Sequence, residues 1–292
     1  MLEGNSSDSI VAYRSREWVI RPRRSGLLNL LRDLWDYRAL FGFVAARSIL
    51  QLYRRAILGV AWLVIRPVIT VIAAVFVVGK VLGISTAPVP LVLFIVAGLS
   101  LWTLFKAGLR HGTRALTRGR GLIRRVNFPR IMVVLGALAP ALIEFAVVFA
   151  GAFLVFGYFA YTEAFTPVAD WPVFAVIPVL LLAMVLVVAV SCVTSVLNNI
   201  ASDTALSLNY AMSIVFVASP AVYPLAAVPE DWRWVMLLNP LAPAMEIWRW
   251  ALLGTPYPPL WSVATAVALT TVLLIGGLMF FLRWEQTILD RS

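Results

Sequence analysis

One cysteine (Cys192) and one histidine (His111) are all that the 292 residues supply of those two types. A disulfide framework needs cysteines in pairs and a Cys/His metal centre needs several ligands, so neither can be built within a single chain. Charge is scarce too: 13% of residues are Asp, Glu, Lys or Arg, against 62% that are hydrophobic. Mean hydropathy is +0.92, more apolar surface than one soluble core of this length would need, so lipid must be the solvent for much of the chain. The sequence has no G-x-x-x-x-G-K-[ST] phosphate loop, since Gly79-Lys80 is followed by Val81. It also has no G-x-S-x-G or H-E-x-x-H, and Glu163, Asp170, Glu230, Asp231 and Glu246 are scattered. The chain is therefore expected to be no enzyme and to hold no metal, and any nucleotide should bind another subunit.

What the sequence does have is a series of apolar stretches and many arginines. A hydrocarbon layer of roughly 30 Å takes about 20 apolar helical residues. Stretches of that length fall near 60–82, 91–109, 131–160, 172–197, 205–224 and 259–282. The expected fold is thus all-α and integral to a membrane, with six crossings in one domain (60–292) and an N-terminal arm (1–59). The first 25 residues are polar and Arg-rich and lack an apolar signal-peptide core, so the N-terminus is expected in the cytoplasm. With that orientation, nineteen Lys and Arg fall in cytoplasmic segments and two (Arg233, Arg249) in external ones. This asymmetry is the positive-inside pattern, and it places both termini in the cytoplasm. It also accounts for the +10 net charge and pI near 10.5, which leaves little for a nucleic-acid reading to explain.

Four features invite a functional reading. Residues 26–57 place Leu27, Leu30, Leu31 and Leu34 at helical spacing, with Arg32, Asp33 and Asp36 between them; this is the pattern of an amphipathic interfacial helix, either a plain anchor or part of a cytoplasmic entrance. The loop 110–130 carries seven arginines and stops at Asn127-Phe128-Pro129. It reads either as a solvated positive loop or as a short helix that docks on a partner through Arg118, Arg120, Arg124 and Arg125. The stretch 219–254 is too apolar for an ordinary loop and too rich in proline to span. It suits a re-entrant helical hairpin, with Trp232, Trp234, Trp248 and Trp250 as a headgroup belt or as substrate contacts. Glu144 is the one acid deep in a span, where an unpaired carboxylate is costly. Structural pairing or a neutral, hydrogen-bonded state is favoured over proton coupling, because no other expected span offers a further acid or histidine for a relay.

Three stretches then resemble a known family, the membrane subunits of type-2 ABC exporters of lipid-linked polysaccharides (O-antigen, capsule, teichoic-acid and galactan precursors). They are YRRAILGVAWLVIRPVITV (53–71), FIVAGLSLWTLFKAGLRHGTRAL (94–116) with IRRVNFPR (123–130), and residues 219–254. The resemblance implies a homodimer carrying two cytoplasmic ATPase subunits, with ATP and Mg²⁺ held there, and an axial channel for a polyprenyl-linked glycan. It implies an entrance hinge at Tyr53, Arg54, Arg55, Leu58 and Gly59, ATPase coupling through 110–130, and an acid in the third span at Glu144. By position it suggests Phe76, Tyr210, Phe216 and Tyr223 as channel aromatics, a sensible lining because the C–H face of a sugar packs on a ring. LNNIASD (197–203) departs from the family's usual Leu-Asn-Val-Arg-Tyr-Arg-Asp by lacking both arginines, which puts ATPase contact at that second loop in doubt. The alternatives are an ABC exporter of drugs or small lipids and, from another class, an ion-coupled secondary transporter.

Overall fold

The computed structural model describes residues 35–53, 61–125, 128–162, 165 and 173–290. Among them every regular element is helical. The expected amphipathic leucines at 27–34 and the hinge residues Arg54, Arg55, Leu58 and Gly59 lie outside the described residues. The principal helices are α1 (Arg38–Tyr53), α2 (Ala61–Val75, continued by a π-helical turn Phe76–Val81), α3 (Leu91–Thr113), α4 (Ala115–Ile123), α5 (Ile131–Gly136) and α6 (Ala139–Tyr161). They are followed by α7 (Val176–Ile200), α8 (Thr204–Val217), α9 (Glu230–Leu237), α10 (Leu241–Leu253) and α11 (Leu260–Asp290).

Among the described residues, five helical segments are long and apolar enough to cross a membrane: Ala61–Val81, Leu91–Thr113, Ile131–Tyr161, Val176–Ile200 and Leu260–Trp284. The sixth stretch does not match its expected extent. Instead of 205–224 it forms a helix of 14 residues, Thr204–Val217, which at 1.5 Å per residue reaches about 21 Å, short of the roughly 30 Å hydrocarbon layer. Its end has a local cause. Pro220 and Pro224 cannot continue a helix, and the chain turns through residues 218–223, with the Ser219 hydroxyl folding back on the Val215 carbonyl at 2.7 Å.

α3 is the axis of the bundle and is buried along most of its length, packing on α6, α7 and α10. Small residues permit this. A Cβ on Gly108 would lie 2.5 Å from Val187 of α7, and one on Gly112 would collide with Ser191; glycines four apart let two helix backbones approach closely. α5 and α6 form one rod broken at Ala137-Leu138, where Pro140 occupies the first turn of α6, a position at which its missing N–H costs nothing. α1 lies across this break, with Val44 against Gly136. α2 is the exception, since none of the residues of Ala61–Val75 is buried.

The 219–254 stretch folds as a 3₁₀ turn (Leu225–Ala227), α9 and α10, closed by Gly254 at φ +66°, the left-handed cap that glycine adopts most readily. Asn239 pins the α9–α10 corner to the end of α8, donating to Ser219 Oγ at 2.8 Å and accepting from the Leu241 N–H at 3.1 Å. α10 enters the bundle core. Trp248 is fully buried and its indole N–H donates to Ala97 O at 3.0 Å and Ser100 Oγ at 3.1 Å on α3. Trp248 is therefore neither a headgroup anchor nor exposed to a substrate, whereas Trp232 and Trp234 are exposed.

Candidate functional site

Two polar groupings interrupt the apolar bundle, one at each end of α3. At the arginine-rich end, Glu144 of α6 meets the last turn of α3. Arg110 Nη2 donates to both of its oxygens, at 2.6 and 2.7 Å, and His111 Nε2 lies 2.9 Å from Oε1. Ending the second span at 109 left His111 outside the membrane in the sequence reading. In the structure α3 runs on to Thr113 and brings that histidine, buried, onto the carboxylate. Glu144 thus has a histidine partner of the kind that the expected spans did not offer for a relay. The geometry is that of a salt-bridged, hydrogen-bonded carboxylate joining α3 to α6.

Beyond this cluster α4 turns back as the short helix expected within 110–130. The Arg118 guanidinium lies 3.4 Å from His111 Nδ1. Burial, and then the charges of Arg114 and Arg110, lower the Arg118 pKa, yet a guanidinium stays protonated in proteins. Arg120 faces elsewhere, donating to Asn199 Oδ1 through Nη2 at 3.0 Å and Nε at 3.3 Å. It thereby ties α4 to the end of α7, next to the second loop. Arg124 and Arg125 are exposed at the end of α4. The four arginines proposed as one docking set thus divide into one turned toward His111, one used as an internal strut, and two left on the surface.

A cavity of about 750 Å³ opens between α1, α4 and the α5–α6 break, lined among others by Arg47, Ser48, Gln51, His111, Arg118 and Pro140. A second, of about 910 Å³, lies between the π-helical end of α2 and the 82–92 segment.

The four expected channel aromatics do not share one environment. Phe76 is 61% exposed and Tyr210 77% exposed, on α2 and α8, both of which pack on α3. Phe216 instead packs on Trp102, with ring centroids 5.0 Å apart. The Tyr223 hydroxyl donates to Val217 O, closing the turn after α8. Tyr53 supplies the last residue of α1.

At the opposite end of α3 lies a grouping that the sequence reading missed. Arg249 is fully buried. It donates to Ala221 O at 2.7 Å, Glu246 Oε1 at 3.2 Å and Phe94 O at 3.3 Å, with its guanidinium carbon 3.8 Å from the Phe94 ring centre. Gly98 makes room for it, because a Cβ there would collide with Ala221 O and the guanidinium. Counted by charge, Arg249 was an exception to the positive-inside pattern; its partners show a structural clasp. Its signal was the Glu246–Arg249 spacing, three apart on one helix face.

A helical bundle with several segments long and apolar enough to span a membrane, an arginine-bearing short helix after the second of them and two short helices before the last is the architecture of a membrane transporter subunit. The chain belongs to the ABC-2 type transporter family, which it matches over residues 39–253. It is therefore a multi-pass membrane protein and a transporter subunit, and the family implies a separate ATPase partner. Over 208 residues, 70% of this chain and 76% of the relative, it is 25% identical to the O-antigen export system permease protein RfbA of Myxococcus xanthus.

Proposed function

We propose that this chain is the membrane subunit of an ATP-driven exporter that moves a polyprenyl-diphosphate-linked polysaccharide outward across the bacterial plasma membrane. It acts as a homodimer bound to two cytoplasmic ATPase subunits. The arginine-rich end faces the cytoplasm, α4 receives the ATPase, and α8 with the α9–α10 hairpin completes the sixth crossing as a re-entrant element. The observation that carries this reading is the bare face of α2, a segment apolar enough to span with only 6% of its most apolar window buried. Such a helix in one subunit leaves its surface for lipid, a second copy or a channel. Phe76 and Tyr210 are both exposed, and aromatic rings suit sugar faces while leaving hydroxyls wet. The glycan is supported by the O-antigen permease relative and by the family-like stretches.

The test is export in the native host lacking this chain, complemented with wild type, Phe76→Ala or Tyr210→Ala. Wild type should restore lipid-linked glycan at the outer face, and each variant should lower it severalfold with the ATPase still co-purifying. The purified chain alone should hydrolyse no ATP. Restoration of small-molecule efflux without any surface glycan would sink the polysaccharide reading, and robust ATP turnover by the isolated chain would sink the partner model.

A further inference from the structure

The cleft between α1 and α4 has a chemistry that the fold itself does not use. Arg47, Ser48 and Gln51 of α1 line it together with Arg118 of α4 and the buried His111, whose Nδ1 lies 3.4 Å from the Arg118 guanidinium. No carboxylate pairs with Arg47 or Arg118 among the described residues; Glu144, the nearest acid by contact, is held by Arg110 and His111. Two guanidiniums lining one open cavity of about 750 Å³, with the charge of Arg114 acting on Arg118, form a site complementary to a compact multivalent anion.

The position of the cleft says which anion suits it. His111 is two residues from the end of one apolar span, and Ala137 and Pro140, also on its wall, lie in the first third of the next, a 31-residue segment longer than the roughly 20 residues a crossing needs. The cavity therefore sits at the level where a bilayer changes from hydrocarbon to headgroup. The adjoining α1 turns Phe41, Phe43 and Leu50 outward, an apolar surface that suits acyl or prenyl chains beside the cleft. We propose that this cleft is a binding site for the phosphate or diphosphate of an amphipathic lipid, with Arg47 and Arg118 holding the phosphoryl oxygens and His111 Nδ1 at its floor. The site rests on the exporter reading only for its natural ligand, the carrier-lipid diphosphate; the phosphate chemistry stands on the cleft alone.

The experiment uses the full-length chain in detergent micelles. Phenylglyoxal modification of Arg47 and Arg118 is mapped by peptide mass spectrometry, with geranylgeranyl diphosphate, phosphatidylglycerol or inorganic diphosphate as protectant. Geranylgeranyl diphosphate or phosphatidylglycerol should protect both arginines at far lower concentration than inorganic diphosphate, whereas equal protection by the inorganic anion assigns the site to a free phosphate source. Protection by none of them overturns the proposal without any variant having to fold. Affinity for geranylgeranyl diphosphate should then fall about tenfold for Arg47→Gln and again for Arg118→Gln. Arg283→Gln, an exposed charge lost outside the cleft, should leave it unchanged. If Arg47→Gln/Arg118→Gln keeps full affinity for the lipid diphosphate but no longer holds the ATPase, the cleft receives an acidic protein segment and the lipid site is refuted. Lipid-diphosphate binding that passes this test while no glycan is exported would leave the cleft standing and remove the polysaccharide reading.

Discussion

Replacing Arg249 with methionine keeps an unbranched apolar stem and removes the charge together with every donor. The wild-type side chain is fully buried and bridges three parts of the molecule: the Ala221 turn, the Phe94 carbonyl of α3 and Glu246 on its own helix. A hydrogen bond from a charged donor contributes about 1.5–3 kcal/mol, and breaking a buried ion pair by losing one partner costs about 3–5 kcal/mol. These figures overlap, because the stranded Glu246 carboxylate is part of both, so the expected loss for Arg249→Met is about 4 kcal/mol. Adding Glu246→Gln removes the stranded charge and should recover roughly half of that loss, since removing a whole buried pair is tolerated better than removing half of it. The assay is heat-induced loss of the monodisperse species of purified full-length protein in detergent. A single-variant midpoint within about 2 °C of wild type would correspond to less than about 1 kcal/mol and would refute the clasp. So would a double variant less stable than Arg249→Met alone.

The remaining predictions concern the other end of α3. Glu144→Gln keeps a hydrogen-bond acceptor for Arg110 but loses the charge; because Arg110 is one-third exposed, the expected destabilisation is only about 1–2 kcal/mol, and an unchanged midpoint would mean that the cluster does not join α3 to α6. Arg124→Ala/Arg125→Ala removes two exposed charges that no described contact uses, so membrane insertion should persist while ATPase co-purification weakens; normal export from an intact complex would limit both to setting orientation. Single cysteines at Gly121 and Thr162, both exposed, should react with an impermeant thiol reagent from opposite sides of the membrane, with the buried Cys192 silent. Labelling of both from one side would remove a crossing.

Much of the bundle was legible because a long apolar run has few alternatives: its backbone must satisfy itself, which in lipid means a helix. Hydropathy reads composition and not partners, and the departures follow from that. α8 looks like a full span because residues 218–224 carry no charge to end the apolar run, but Pro220 and Pro224 end the helix and the remainder packs into a turn. Trp248 looks like an interfacial anchor because tryptophans surround it in sequence; only the long-range contact with Ala97 and Ser100 puts it in the core. The cost of a carboxylate at the depth of Glu144 predicts a partner, but Arg110 and His111 stand 34 and 33 residues away on another helix, and no local pattern names them. Phe216 shows the same limit, since spacing along α8 cannot distinguish an aromatic facing Trp102 from one facing a channel.

The hydrogen bonds from Arg120 to Asn199 change the meaning of the arginine-poor turn after α7. A strut between two beams lets a load applied to one be carried by both, and this one joins α4 to the end of a 25-residue helix that itself seats on α3 through Gly108 and Gly112. In the proposed exporter, a push on the short helix would be carried along α7 and across to the axis of the bundle without any grip on residues 201–203. A machine wired this way would be driven from a single point per subunit, and its short second turn would ride on that stroke with no need of arginines of its own.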